Sequence, residues 1–198
     1  MNYVWNVSYD DYSKMLDDLE KELVDEMRIN TIIEEPIIGY KRAFNYSRVT
    51  GVEGEFNLPL NEVIITIEIP AGTRVCCLRK EFEETKLYRV INKKFIEFII
   101  NKDIHVPNET MAAPSYMLYN MLKCRAEKAI VKKIEDCKNN EKILHMEYPE
   151  AISSFDRDFI YKKGDLITVN NYDETLNYCA AGIHFFKHLS LAEAHCLY

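Results

Sequence analysis

The stretch CAAGIHFFKHLSLAEAH, Cys179 to His195, puts a thiol and three imidazoles into one short segment of the chain. Cys179 and His184 flank the small-residue turn Ala180 to Gly182. An imidazole held against a thiol favours the thiolate, which is the nucleophile of cysteine enzymes, so these two residues are the catalytic candidates. Such a dyad also needs a substrate pocket and a group that stabilises the transition state, and no motif in the chain supplies either. Zinc is the second chemistry, with Cys179, His184, His188 and either His195 or Cys196 as ligands of suitable type. Their C-x4-H-x3-H spacing lacks the close cysteine pair of zinc motifs, and Cys76 and Cys77 are adjacent, so on a strand they point to opposite faces. No metal and no cofactor is therefore expected. The third reading makes Cys179 a small buried hydrophobe and His184 a core histidine bonded to backbone; it is the best single reading of the two residues.

These residues must be positioned by the elements around them. GIHFF reads as a strand, with Ile183 and Phe185 on one face and His184 and Phe186 on the other, and LAEAHCLY as a short helix started by a Ser190 to Glu193 capping box. At the other end of the chain, Tyr12, Leu16, Leu19, Leu23 and Met27 recur at helical spacing, predicting an amphipathic helix over Ser8 to Arg28 capped at Ser8. Its opposite face carries Asp10, Asp17, Asp18, Glu20, Asp25 and Glu26, which read as a solvated face or, alternatively, as a docking surface for a basic partner.

Between the two helices the pattern is that of short strands. IIGYKRAF, EVIITIEIP and TRVCCLR are β-prone, and the turn at Pro70 to Gly72 predicts a hairpin joining the last two. GVEGEFNLP reads as a connecting loop, and LYRVINKKFIEFII fits a helix or a strand pair equally. VPNETMAAPSYMLYNML suggests a loop and then a short helix or extended segment, KAIVKKIED a strand, and NNEK a turn. FIYKKGDLITV predicts a second hairpin with Gly164 at positive φ. The fold class is α+β: a largely antiparallel sheet with an N-terminal amphipathic helix and a short C-terminal helix, in one domain over residues 1–198.

Composition excludes several classes. With 47% hydrophobic and 29% charged residues the chain lies in the globular range. A net charge of −7 argues against binding duplex nucleic acid, which needs clustered Lys and Arg. Acids at Asp10 and Asp11 argue against a secretory signal, and the apolar runs fall short of the roughly 20 residues of a membrane span, so no membrane association is expected. The six cysteines are scattered, which fits reduced thiols in the cytoplasm better than a disulfide framework.

Taken together, KCRAEKAIVKKI, FIYKKGDLITVNNYDETLNYCAAGIHFF and LSLAEAH form an ordered set that resembles an uncharacterised domain of phages and giant DNA viruses, often found with pentapeptide repeats. The likeness covers about Lys123 to His195, and IIGYKRAF and VIITIEIPAGTRV are similar to the family's opening elements. In the family the Lys-Cys-Arg-Ala element lies close behind the Ile-Pro strand, so residues 80–122 read as an inserted segment. The resemblance implies no activity. It singles out Cys124, Arg125, Gly182, His184 and Phe185 as matches to the family pattern. Gly182 is expected to take positive φ in a tight turn before its strand.

A fainter likeness links GYKRAF, IPAGTRV and EFEET to ADP-ribosyltransferases, in which Arg42, Glu81 and Glu83 would serve NAD, but the intervening Ser-Thr-Ser strand is missing. The function these readings favour is that of a viral or phage accessory protein in the host cytoplasm, a non-enzymatic domain that binds a host or viral protein. A small enzyme built on Cys179 and His184 is the alternative.

Overall fold

The computed structural model describes residues 8–51, 54–82, 87–102, 115–137 and 146–194. In chain order the elements are α1 (Tyr9–Met27), β1 (Arg28–Ile32), β2 (Ile37–Gly51), β3 (Gly54–Ile69), β4 (Arg74–Leu78), a 3-10 turn (Lys80–Phe82), α2 (Leu87–Asn101), α3 (Ser115–Leu122), β5 (Cys124–Ala126), β6 (Lys128–Asp136), β7 (Glu150–Ile152), β8 (Ile160–Lys162), β9 (Leu166–Thr168), β10 (Ile183–Phe185) and α4 (Leu189–Ala194). The fold is α+β, with helices near both ends and two antiparallel sheets in the orders β1-β4-β5-β10 and β8-β7-β2-β3-β6-β9. Contacts cluster into two units: Met1–Asn30, Cys76–Lys123 and Thr175–Cys179 form the first, and Thr31–Val75, Cys124–Glu174 and Ala180–Tyr198 the second.

The first unit is built from α1, α2 and α3. Ser8 caps α1, its Oγ accepting from the backbone N–H of Asp11 at 3.1 Å, as its position before the apolar repeat predicts. Leu16, Leu19, Leu23, Val24 and Met27 of α1 share a buried cluster with Leu87, Ile91, Phe95 and Ile99 of α2 and Met117 and Met121 of α3. The four α2 residues lie four apart, one per turn, and this resolves the helix-or-strand ambiguity of LYRVINKKFIEFII in favour of a helix. Arg28, fully buried, closes the unit: its Nη1 donates to the carbonyls of Asn120, Met121 and Lys123 at 3.0, 3.2 and 2.7 Å, and its Nη2 lies 3.4 Å from Cys76 Sγ. It thereby places a cation on the carbonyls that end α3, where the helix dipole is negative.

The second unit contains the six-stranded sheet. β2 and β3 pair from Ile37↔Ile69 to Gly51↔Gly54, with an irregularity between Phe44 and Tyr46. Ile65, Ile67 and Ile69 are fully buried on the face their alternation predicts, each contributing on the order of 2 kcal/mol of transfer free energy. β6 flanks β3 from Val63↔Asp136 to Glu68↔Ile130. GEFNLP, read as a loop, is instead strand, because the long β2 offers it a pairing partner through Gly51↔Gly54.

Both sequence-predicted hairpins are corrected by this topology. β3 pairs with β2 and β6, while β4 belongs to the other sheet; Gly72 does take positive φ, +77°, but its turn hands the chain from sheet to sheet. β8 pairs with β7 and β9 with β6, although Gly164 sits at φ +90° as expected and its N–H bonds to Val131 O at 2.8 Å. At the C-terminus α4 starts at Leu189, so Ser190 lies inside it; the carbonyl of His188 accepts from Leu191 and Ala192 instead of a Ser190 capping box. The NNEK turn, Glu83, His195 and Cys196 lie outside the described residues.

Candidate functional site

The residues that match the family pattern converge in the second unit. β5 and β10 pair antiparallel with Phe185 opposite Cys124, His184 opposite Arg125 and Ile183 opposite Ala126. Arg125 is fully buried, and its guanidinium lies 5.3 Å from the centre of the Tyr172 ring. Arg74 faces the same ring at 5.5 Å and is held by a fork of bonds to Glu127, at 2.8 and 3.2 Å, and by Glu174. A buried guanidinium is tolerated when a ring face and hydrogen bonds replace its water, so Tyr172 is part of what makes Arg125 affordable at this position. The Arg74 fork holds the Glu127 carboxyl below its ordinary value.

Gly182 stands at φ +158°, a positive φ as expected before its strand. It also gives clearance: a Cβ there would come within 2.2 Å of Arg125 Cγ, 2.7 Å of Arg125 Cδ and 3.3 Å of Tyr172 Cδ2. Gly39 does the same for Phe185, whose Cδ2 would lie 2.3 Å from an added Cβ. Cys124 and Phe185 are buried. This constellation is a packed framework, and its chemistry is that of positioning β10.

Of the two catalytic candidates, His184 is half-buried on β10 in the second unit. Cys179 belongs to the first unit, is exposed, and takes a backbone bond from its own N–H to Asn177 Oδ1 at 2.9 Å. The expectation of a buried Cys179 is corrected: it lies in the surface turn that ends Thr175–Cys179 rather than under a strand. Its neighbourhood within that unit includes Lys123, whose ammonium is pushed below its ordinary value chiefly by burial. Cys76, Cys77, Cys124 and Cys137 are buried thiols. Among the described residues no group of three or more His, Cys, Asp or Glu side chains is arranged to hold a metal ion.

Arg42 is buried and ion-paired with Glu62, and its Nη1 donates to Glu193 O at 3.2 Å, which ties β2 to α4. Glu81 is exposed on the 3-10 turn. No helix of the described residues is long and apolar enough to cross a membrane.

The acidic face of α1 divides in two. Glu20 is buried, correcting its reading as a solvated acid: it accepts from Asn120 Nδ2 at 2.8 Å and from the Tyr178 hydroxyl at 3.2 Å. Those partners are distant in sequence and left no local signal. Asp18 and Glu22, one turn apart, instead line an open cleft of about 370 Å³ between α1 and α2. Met15, Leu19, Leu23 and Phe98 supply its apolar wall, and Glu97, Asn101, Lys94 and Lys102 its α2 side. Lys94 is ion-paired with Glu26, and Lys93 with Glu97 at 3.6 Å. The apolar spacing of α1 was legible in the sequence, whereas α2 was ambiguous and the cleft depends on how the two helices meet.

A family of unknown function, DUF5758, matches residues 81–192, more than half of the chain. No curated protein and no solved structure matches it.

Proposed function

Because the chain belongs to DUF5758, a family without an assigned activity, we propose that it is a non-enzymatic protein-binding domain whose partner docks on the α1–α2 cleft. The observation that carries this reading is the cleft itself, where the half-buried Met15 and Phe98, backed by the core residues Leu19 and Leu23, lie beside the carboxylates of Asp18 and Glu22. Apolar surface rimmed by charge is the usual composition of a protein contact. The framework around Arg125, Tyr172 and Gly182 serves the same reading as rigid support for the second unit. The resemblance to domains of phages and giant DNA viruses supports an accessory role in a host cytoplasm, with a host or viral protein as partner.

The test places a photo-crosslinking amino acid at the exposed Asn101 and, as a control, at the exposed Lys162. A discrete adduct from position 101 alone, identified by mass spectrometry and reproduced with the purified partner, is expected. Adducts of equal yield from both positions, or none from 101, overturn the reading.

A second reading has one observation in its favour. Cys179 is exposed where the other described cysteines are buried, so a reaction at this thiol is the enzymatic alternative.

A further inference from the structure

The structure holds a further indication of what enters the cleft, and it rests on the protein-binding reading above. Helix α1 carries eight carboxylates against the two lysines Lys14 and Lys21, a net of −6 in a chain whose total is −7. By the 3.6-residue repeat, Asp11, Asp18, Glu22 and Asp25 share one stripe of that helix. The stripe borders Met15 and Leu19, and its central members Asp18 and Glu22 reach into the cleft. Glu20 belongs to the buried side, and Glu26 is taken by Lys94. The carboxylates along the cleft are therefore those that the core does not use.

We infer that the occupant is a cationic amphipathic helix from a partner protein, its apolar side chains in the cleft and its Lys or Arg residues along the Asp18–Glu22 stripe. Three features of the site select this chemistry. The walls are two helices, and a groove between helices accepts the apolar face of another at spacings of three and four residues. A volume of about 370 Å³ suits a few anchoring side chains rather than an extended polypeptide lying fully inside. The α1 wall contributes Asp18 and Glu22, while on the α2 side Lys94 is engaged by Glu26, so a basic helix is favoured over an acidic one along that wall. Lys102 at the far rim leaves room for a neutral or acidic residue on the opposite flank of the incoming helix.

The probe is a fluorescent Leu/Lys peptide of about 18 residues patterned as an amphipathic helix, long enough to fold on a surface. Two controls accompany it: a scrambled peptide of the same composition, and a Leu/Glu peptide of the same pattern. Anisotropy titrations are run on the full chain and on two surface variants, Asp18→Lys/Glu22→Lys and Asn101→Trp, the latter filling the cleft without touching the core. The patterned basic peptide is expected to bind, to weaken with salt, and to lose about tenfold in affinity for the charge-reversed variant. Asn101→Trp should weaken it as well. Equal binding of the scrambled peptide, binding of the acidic peptide, or unchanged affinity in both variants overturns the inference. If the peptide fails while position 101 still crosslinks a partner, the partner's chemistry is wrong and the protein-binding reading stands; if both fail, both are lost.

Discussion

Gly182 lies against the side chain of Arg125 so closely that a Cβ at position 182 would stand 2.2 Å from Arg125 Cγ. The atoms it meets are the inner carbons of a buried arginine stacked on Tyr172, which have little room to retreat. Gly182→Ala should therefore destabilise the protein by about 1–3 kcal/mol, an overpacking cost. Urea unfolding measures it. The penalty should shrink in an Arg125→Ala background, where the clashing carbons are gone; an equal penalty in both backgrounds would locate the effect in the backbone instead.

Arg28, itself fully buried, supplies hydrogen bonds to three carbonyls at the end of α3. Arg28→Met keeps most of the volume and removes every donor, so it should cost about 3 kcal/mol or more. Helical circular dichroism under urea reads the loss, and a change under about 1 kcal/mol would mean that the carbonyls find other donors.

Lys123 titrates below its ordinary 10.5 because it is buried, so between its folded and unfolded values the unfolded chain binds more protons. Stability attributable to this residue therefore rises with pH through that window, and the charged form is a burden at neutral pH. Lys123→Met should raise the melting temperature at pH 7 and flatten the gain toward pH 10 relative to wild type. A lower melting temperature at pH 7 would show that the ammonium is a net stabiliser.

Cys179 is exposed, while Cys76, Cys77, Cys124 and Cys137 are buried. Alkylation of the native protein followed by mass spectrometry should label Cys179 well ahead of those four. Repeating the labelling across pH in His184→Ala separates the two readings of this thiol. If the rate at neutral pH falls in the variant, the imidazole activates Cys179 and the enzymatic alternative takes precedence. Unchanged rates leave Cys179 as an accessible but unassisted thiol.

What could be read from the sequence followed the range over which each signal acts. The α1 register, the Ser8 cap and the buried triplet Ile65, Ile67 and Ile69 depend on neighbours within a few residues, and all are found where the pattern puts them. Turn residues were equally local: Gly72 and Gly164 adopt the expected backbone, yet neither turn closes a hairpin, because a turn reverses the chain without choosing the strand it will pair with. Glu20 looked like one acid among many until Asn120 and Tyr178 came to it from distant segments. The family-matching residues Cys124, Arg125, Gly182 and Phe185 were identifiable by resemblance and the positive φ of Gly182 was expected, but its clearance over Arg125 is revealed only by the β5–β10 register. The cleft was half legible: the acidic face of α1 and its repeat through Leu19 and Leu23 could be read, while the α2 side with Phe98 could not, since α2 itself was ambiguous.

The α1–α2 cleft is the proposed docking site, and methyl NMR probes it most directly. With Met, Leu and Ile methyl groups labelled, titration with the cationic amphipathic peptide should move the resonances of Met15, Leu19 and Leu23 and leave those of Ile65, Ile67 and Ile69 in the six-stranded sheet in place. Shifts confined to the sheet isoleucines, or no shifts at saturating peptide, would contradict it.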